Sequence, residues 1–391
     1  MTGSPRKPRV APSDSWIQLY NSSPWTFGPR LAHYSSMVSG GAAIMVLLAH
    51  IIRGVLIAAD PTLRRWYLLF PTDGDFAVYV LFVVSGFALA CGYLETGNIR
   101  FLTSLAIKRY PRLMLPVLAS SLIGFVLVDL GLTFNHEAAV VVRSPWLDFA
   151  FTLSVSLFNC LKFALFDVFF AYDPQRAYNG VLWTMSIELY GSMLVCCVLA
   201  LFGKESRWIA YVACALVCAL LNSPLLAFIF GMMLAELYHW RGRTLLDVAA
   251  PYFLVLVVGS CIVASIYTPY PRDPRFLSVL EGLLVLAISL YASARRFFGV
   301  RLSRFLGSIS FPLYLTHMFV ILSFTSWSIV ELNSRGVDKR VAAICIILTT
   351  IPLSILGAVA FLPVEAASVR VARRFADACL VQRKVCGETQ F

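Results

Sequence analysis

Charged residues are scarce in this chain, and their scarcity excludes a soluble globular protein. Only 14% of the 391 residues are Asp, Glu, Lys or Arg, whereas 59% are hydrophobic. Soluble domains average about 25% charged residues. The mean hydropathy is correspondingly high, at +0.78. The composition therefore predicts a protein embedded in a membrane.

The cysteine spacings of metal and redox sites are also missing. The chain has 10 cysteines, but no two of them form a CxxC pair. Most lie in or beside apolar runs, where a thiol behaves as a small hydrophobic side chain. The polar N-terminus is not followed at once by an apolar region with a cleavage site, so no secretory signal peptide is predicted. Neither disulfides nor a bound metal are expected.

The net charge of +11 does not indicate a nucleic-acid partner, because of where the basic residues lie. They cluster in alternate loops and at both ends of the chain, as the positive-inside rule expects of a membrane protein. We therefore expect the lipid bilayer as a partner and no nucleic acid. The same pattern predicts that both termini lie in the cytosol.

Several apolar runs reach about 20 residues, which is enough to cross a bilayer as a helix. The predicted fold is an all-α, polytopic transmembrane bundle of ten spans, flanked by a flexible polar tail (1–34) and a basic tail (364–391). Residues 149–170 are interpreted as an amphipathic helix at the interface, with a buried span as the alternative. The predicted spans are 35–59, 76–94, 113–134, 181–203, 208–222, 224–238, 249–267, 277–294, 305–330 and 341–363.

His50 is the most unusual residue of the first span, because a histidine inside a membrane is costly without partners or a function. At a rise of about 1.5 Å per residue, its depth in the outer half of the bilayer matches that of His317, Glu188 and Ser85. These residues are predicted to meet. Glu281 falls nearer the outer surface, where we expect it to be solvated.

Each candidate also has a purely structural interpretation. A lone membrane histidine is commonly a hydrogen-bonded packing residue, and Glu188 can reach the interface beside Trp183. Ser85 and the glycine after it are typical of close helix packing. Arg109 and Arg112 are typical topology signals, although a cluster of cations can also bind phosphates.

Six stretches together resemble the integral-membrane acyltransferase-3 family, and within it the fungal members. They occur in the family's order and span nearly the whole chain. These stretches are His50 near the end of the first span, Phe82-Val83-Val84-Ser85-Gly86-Phe87, the segment from Lys108 to Pro116, Asn179 to Glu188 with Gly191-Ser192, Phe230 to Glu236, and Leu306 to His317.

The resemblance implies transfer of an acyl group, commonly acetyl, from acyl-CoA to a hydroxyl of a carbohydrate, lipid or small molecule. It implies catalytic roles for His50, Glu188 and His317, with His50 as the general base. Donor- or substrate-binding roles would fall to Arg109, Arg112, Ser85, Trp183 and Tyr314. Acyl-CoA is a substrate in this scheme, and no resident cofactor is expected. The expected location is an endomembrane or the plasma membrane.

One departure from the family pattern bears on activity. Where the family carries an arginine in the first span, this chain has Ser39. Either another cation such as Arg53 replaces it, or the chain is a degenerate homologue that binds a lipid or sterol without turnover.

Two further functions are compatible with intramembrane His and Glu residues. A proton-coupled transporter uses such residues as relays, although this chain shows no internal inverted repeat. A membrane haem protein could use His50 and His317 as axial ligands.

Overall fold

The part of the chain that this computed structural model describes, residues 29–60, 72–151, 156–203, 207–240, 250–267, 272–291 and 300–388, is built from helices without a strand. The N-terminal tail predicted for residues 1–34 lies largely outside these ranges. In chain order the helices are α1 (Pro29–Ala49), α2 (Gly74–Thr96), α3 (Ile99–Asp129), α4 (Asn135–Val142), α5 (Pro145–Phe149), α6 (Leu157–Lys162), α7 (Thr184–Phe202), α8 (Arg207–Leu220), α9 (Leu226–Trp240), α10 (Ala250–Tyr267), α11 (Pro274–Leu290), α12 (Arg301–Ser308), α13 (Ser310–Val320), α14 (Ser326–Ser334) and α15 (Lys339–Glu388).

Within the described ranges, seven helical segments are long and apolar enough to cross a membrane. They include α1, α2, α3, α7, α10, the run from α13 to α14, and α15. The three shorter helices α8, α9 and α11 fall where three more spans are predicted. The prediction of an all-helical integral membrane protein is confirmed.

Helix α2 is the centre of the bundle. In its most apolar stretch, 83% of the residues are buried, whereas in that of α10 only 28% are buried. A Cβ atom at Gly86 would lie 2.4 Å from the backbone oxygen of Phe228, and one at Gly231 would lie 2.3 Å from that of Val83. Glycine on both helices therefore allows the backbones of α2 and α9 to touch, as small residues do between membrane helices.

Helix α3 begins much earlier than the predicted third span. Asn98 caps it by accepting a hydrogen bond from the amide of Arg100. The basic segment expected to be a loop is therefore the first half of a 31-residue helix that passes through Pro111 and Pro116. Arg109 and Arg112 consequently lie on a helix face that packs against the bundle.

The chain enters the bundle before α7 begins. Asn179 is fully buried, and its amide donates to Ser120 Oγ at 2.9 Å and to the carbonyl oxygen of Leu315 at 2.7 Å. A short 3-10 segment, Gly180–Trp183, then leads into α7. Because the helix starts at depth, Glu188 lies deeper than a span beginning at the surface would place it.

Helix α15 does not end with the predicted tenth span. It has 50 residues and continues through Pro363. At about 1.5 Å per residue it is about 75 Å long, more than twice the thickness of the hydrocarbon core. Its second half packs beside the first half of α3, where Arg112 pairs with Glu365 at 3.5 Å. We call this end of the bundle the basic end.

The segment predicted as one amphipathic helix, residues 149–170, is broken into short pieces. Helix α5 ends at Phe149, and α6 leads into a π-helical segment (Phe163–Asp167) and a last turn (Val168–Phe170). Phe158, Phe166 and Phe170 are exposed, whereas Phe163 and Phe169 are buried. Residues 130–149 follow the end of α3 and lie at the end of the bundle opposite the basic end, which we call the loop end. The π-helical segment instead packs beside the basic segment of α3, where the hydroxyl of Tyr110 donates to the carbonyl oxygen of Leu165 at 2.5 Å.

Candidate active site

The two histidines singled out in the sequence are in direct contact. Nδ1 of His50 lies 3.0 Å from Nε2 of His317, and the rings stack with their centroids 5.1 Å apart. His317 is fully buried, whereas His50 is partly exposed. The expected meeting of these residues is therefore present.

The hydrogen bonds fix which nitrogen of each neutral ring carries the hydrogen. Nδ1 of His317 lies 2.9 Å from the carbonyl oxygen of Leu313, and a carbonyl can only accept, so this nitrogen donates. Nε2 of His317 then has a lone pair and accepts the N–H of His50 Nδ1. A neutral imidazole has a single N–H, so Nε2 of His50 has its lone pair available for a substrate proton.

Trp146 also stacks against His50. Its ring lies 5.3 Å from the imidazole at an interplanar angle of 18°. The contact needs Gly54, because a Cβ there would come within 2.6 Å of the indole. Sequence reasoning missed Trp146, because it lies in the short helix α5 nearly 100 residues from His50 and no local pattern joins the two.

A π-helical segment, His50–Leu56, begins at the candidate base itself. A second π-helical segment, Ile321–Thr325, follows the helix that carries His317. The hydroxyl of Ser144 donates to the carbonyl oxygen of Gly54 at 2.7 Å, which satisfies a backbone group in the first segment. Such segments are rare and occur frequently at functional sites.

Tyr314 lies one turn from His317 on α13, with the rings 6.2 Å apart. Its hydroxyl lies 2.9 Å from that of Thr184 and donates to the carbonyl oxygen of Val181 at 3.0 Å. These bonds join α13 to the beginning of α7. Trp183, in the same turn, is 40% exposed and faces away from this buried contact.

Glu188 forms a second cluster that does not include the histidines. Ser85 Oγ donates to Glu188 Oε1 at 2.7 Å, and the guanidinium of Arg109 donates to the same oxygen. Arg109 Nε also donates to Ser192 Oγ at 2.5 Å. Among the described residues, Glu188 therefore contacts Ser85 and Arg109 rather than either imidazole.

The two clusters lie in separate layers of the bundle. Leu315 lies two residues before His317. It is at the same depth in the bundle as Ser120 of α3, because the amide of Asn179 contacts both residues. Arg109 precedes Ser120 by three helical turns, or about 16 Å. The histidine pair is therefore about 15 Å nearer the loop end than the Arg109–Glu188 pair.

Residues 40–361 match a family model described as an acyltransferase domain, Acyl_transf_3. The chain belongs to this acyltransferase family. The resemblance indicated by the sequence motifs is thus confirmed at the level of the family, and the protein is a membrane acyltransferase. Comparison with curated proteins and with solved structures finds no match.

In this acyltransferase the arginine nearest the candidate base is held by a buried ion-pair network. Arg53 pairs with Asp73 at 3.0 Å, and Asp73 also accepts from Arg272 at 2.8 Å and from Ser265 at 2.7 Å. Asp73 and Arg272 are almost completely buried. This network anchors the loop end of α2 next to the π-helical segment.

Glu281 is fully buried, although its position in the sequence predicted a solvated residue. Neither of its carboxyl oxygens has a hydrogen-bond partner among the described residues. The prediction was wrong because α11 packs against α2, α9 and α10, which turns this face of the helix into the bundle and away from water.

The acyltransferase has a cavity at the basic end, between α3 and the second half of α15. Its volume is about 50 Å³, and Ser104, Lys108, Arg109, Arg112 and Arg373 contribute its polar lining. A water molecule needs roughly 10–15 Å³, so the cavity has room for a few water molecules. Arg109 extends from this lining to Glu188 and thus joins the cavity to the second cluster.

Proposed function

We propose that this protein is an integral-membrane O-acyltransferase that moves an acyl group, with acetyl the expected one, from acyl-CoA to a hydroxyl. The acceptor is a hydroxyl of a carbohydrate, a lipid or a secondary metabolite. The observation that carries the proposal is the hydrogen bond from His50 to His317, because it orients a basic nitrogen of His50 and leaves that nitrogen available for a substrate proton.

The proposed reaction uses His50 as general base. The acceptor hydroxyl gives its proton to Nε2 of His50 as its oxygen attacks the thioester carbonyl carbon. The carbon–sulfur bond then breaks, and the CoA thiolate takes the proton back from His50. His317 stabilises the transient imidazolium by accepting its Nδ1–H, which is the orienting role of the third group in catalytic triads. General base catalysis of this kind contributes about 10²–10⁴ in rate.

The two-layer arrangement supports a donor that crosses part of the membrane. Arg112 and the basic cavity would hold the phosphates of CoA at the basic end, as guanidinium groups do with bidentate geometry. The extended pantetheine arm would pass Ser85 and the Arg109–Glu188 pair to bring its thioester to His50. Glu188 would thus line the path of the donor. Tyr314 would line the part of this path that is nearest the loop end.

We further propose a topology of ten spans with both termini in the cytosol, in an endomembrane or the plasma membrane. Lys108, Arg112, Arg301, Arg304 and Arg370 all lie towards the basic end, as the positive-inside rule requires of a cytosolic face. Protease protection of terminal epitope tags in sealed vesicles tests this orientation: cytosolic tags are digested without detergent. Protection of either tag contradicts it.

The reaction is tested with purified protein and acetyl-CoA. Wild-type protein is expected to release CoA thiol in the presence of an acceptor extract, and cells expressing it should contain an acylated product that is absent with His50→Ala. His136→Ala is the matched control, because His136 is exposed and pairs with Asp148. An unchanged product profile with normal levels of the His50→Ala protein contradicts the proposal. Uptake driven by a pH gradient without thiol release would instead favour a transporter.

A further inference from the structure

One short stretch of the chain, residues 134–150, contacts both π-helical segments of the candidate active site. The amide of Phe134 donates to the carbonyl oxygen of Leu322 at 3.0 Å, and this carbonyl belongs to the second π-helical segment. The hydroxyl of Ser144 donates to the carbonyl oxygen of Gly54 at 2.7 Å, which belongs to the first. The stretch is therefore bound to both of the helices that carry the candidate histidines.

Hydrogen bonds within this stretch fix the position of α5. Asn135 is fully buried, and its amide donates to the carbonyl oxygens of Leu147 at 3.0 Å and Ala150 at 2.9 Å. Ser144 caps α5 by accepting a hydrogen bond from the amide of Leu147. The side chain of Trp146 is therefore carried on a short helix that is tied down at both of its ends.

Trp146 reaches His50 because the first π-helical segment has a glycine beside it. The indole is half-buried and stacks on the imidazole, with the ring centroids 5.3 Å apart. A Cβ at Gly54 would lie 2.6 Å from two carbon atoms of the indole, so a larger residue would displace the ring. The hydrogen bond to His317 holds only one edge of the imidazole, whereas the stacked indole also restricts the plane of the ring.

The indole also suits the charge that forms on His50 during the proposed reaction. The face of an aromatic ring attracts a cation within about 6 Å of its centroid, and tryptophan provides the strongest such contact. The imidazole of His50 lies within this distance. Because the imidazolium forms only as the acceptor loses its proton, the attraction stabilises the transition state more than the ground state and therefore raises kcat.

We propose that Trp146 is a positioning residue for acyl transfer, which holds the imidazole of His50 against His317 and stabilises its imidazolium form. This role rests on the proposed function. Trp146 takes no proton and forms no bond in the reaction. The acceptor proton passes to Nε2 of His50 as the carbon–oxygen bond forms, and it passes on to the CoA thiolate as the carbon–sulfur bond breaks.

The first test measures thiol release from acetyl-CoA by purified protein, with the same acceptor extract. We expect Trp146→Leu to lower kcat by about fivefold to thirtyfold, the factor that a cation–π contact contributes. The KM for acetyl-CoA should change by less than about twofold. Trp146→Phe is close to the leucine variant in volume but keeps an aromatic face, so it should retain at least about a third of the wild-type kcat. Trp208→Leu is the control, because Trp208 is 47% exposed on α8.

Gly54→Ala gives an independent test in a protein that retains the indole. The added methyl group would displace Trp146, so kcat should fall by about fivefold or more. In the Trp146→Leu background the methyl group no longer meets an indole, and its further effect on kcat should be less than about twofold. Losses that multiply in the double variant would show that the two residues act independently, which overturns the proposed role.

The remaining outcomes separate this role from the proposed function. Equal kcat values in Trp146→Leu and Trp146→Phe, at equal thermal unfolding, would mean that the side chain only fills space, and they overturn the role. A wild-type kcat in Trp146→Leu overturns it as well and leaves the proposed function intact. Thiol release by wild-type protein that does not exceed that of His50→Ala contradicts both. If Trp146→Leu does not fold, Gly54→Ala decides: a lowered kcat supports the role, and a wild-type kcat overturns it.

Discussion

His317 accepts a hydrogen bond from His50 across 3.0 Å, and this bond determines which nitrogen of His50 is basic. A histidine whose ring is held by a second histidine differs from the usual pairing with a carboxylate, because the partner is neutral. In the proposed reaction, this neutral pair would become charged only when the acceptor hydroxyl gives its proton to His50.

Replacement of His317 by Ala is expected to lower kcat by about 10²-fold or more while changing KM little, because the orientation of the base is lost and binding groups remain. Steady-state rates of thiol release measure the effect. His136→Ala, which changes an exposed histidine, should leave both constants unchanged. A wild-type kcat in the His317→Ala protein would exclude a role for the pair in the reaction.

Substitution of Gly86 or Gly231 by Ala is expected to destabilise the protein by about 1–3 kcal/mol, since the added methyl group meets backbone atoms that cannot rotate away. Gly259→Ala is the matched control, because no atom from another described part of the chain lies within 4 Å of a Cβ there. It should be neutral or stabilise by up to about 1 kcal/mol through helix propensity. Thermal unfolding in one detergent measures both effects, and equal stabilities for all three variants would argue against backbone contact between α2 and α9.

The Arg109–Glu188 pair is expected to show strong coupling in a double-mutant cycle. Arg109→Gln or Glu188→Gln alone leaves a charge with 8% or 14% side-chain exposure, and removing one partner of a buried pair costs about 3–5 kcal/mol. The double variant should lose less than the sum of the two single losses, by about 0.5–3 kcal/mol. Additive losses in the unfolding free energy would mean that the two side chains act independently.

Glu281→Leu is expected to raise the free energy of unfolding by about 1–3 kcal/mol, because an apolar side chain replaces a buried carboxyl group that lacks a hydrogen-bond partner among the described residues. Glu331→Leu serves as control, since Glu331 is 37% exposed and pairs with Arg335, and its effect should stay within about 0.5 kcal/mol. A marked loss of stability in Glu281→Leu would show that the carboxyl group has a stabilising partner.

The sequence was sufficient to predict the contact between the two histidines, because both lie on helices that run directly towards the loop end, so their depths follow from residue counts. Glu188 was placed in the same layer for the same reason, but Asn179 carries the chain into the bundle before α7 begins. The depth estimate for Glu188 could not include that non-helical descent.

The burial of the basic segment and the length of α15 could not be predicted from the sequence, because both depend on contacts between helices that are distant in the chain. The basic segment around Arg109 resembles a cytosolic loop until α3 and α15 pack together and bury it. Proline usually ends a helix, which predicted a boundary at Pro363. A single proline removes only one intrahelical hydrogen bond, and α15 continues through it while packed against α3.

The π-helical segment at His50 makes the candidate base sensitive to chain length as well as to side-chain chemistry. A π-helical turn accommodates one residue more than the α-helical turn it replaces. Deleting a single residue between Ile51 and Leu56 would let the segment close into a regular α-helix and rotate His50 by about 100° relative to the loop end. The imidazole would then lose its contacts with both Trp146 and His317. Deletion of one residue is therefore expected to abolish activity without replacing any side chain of the candidate site.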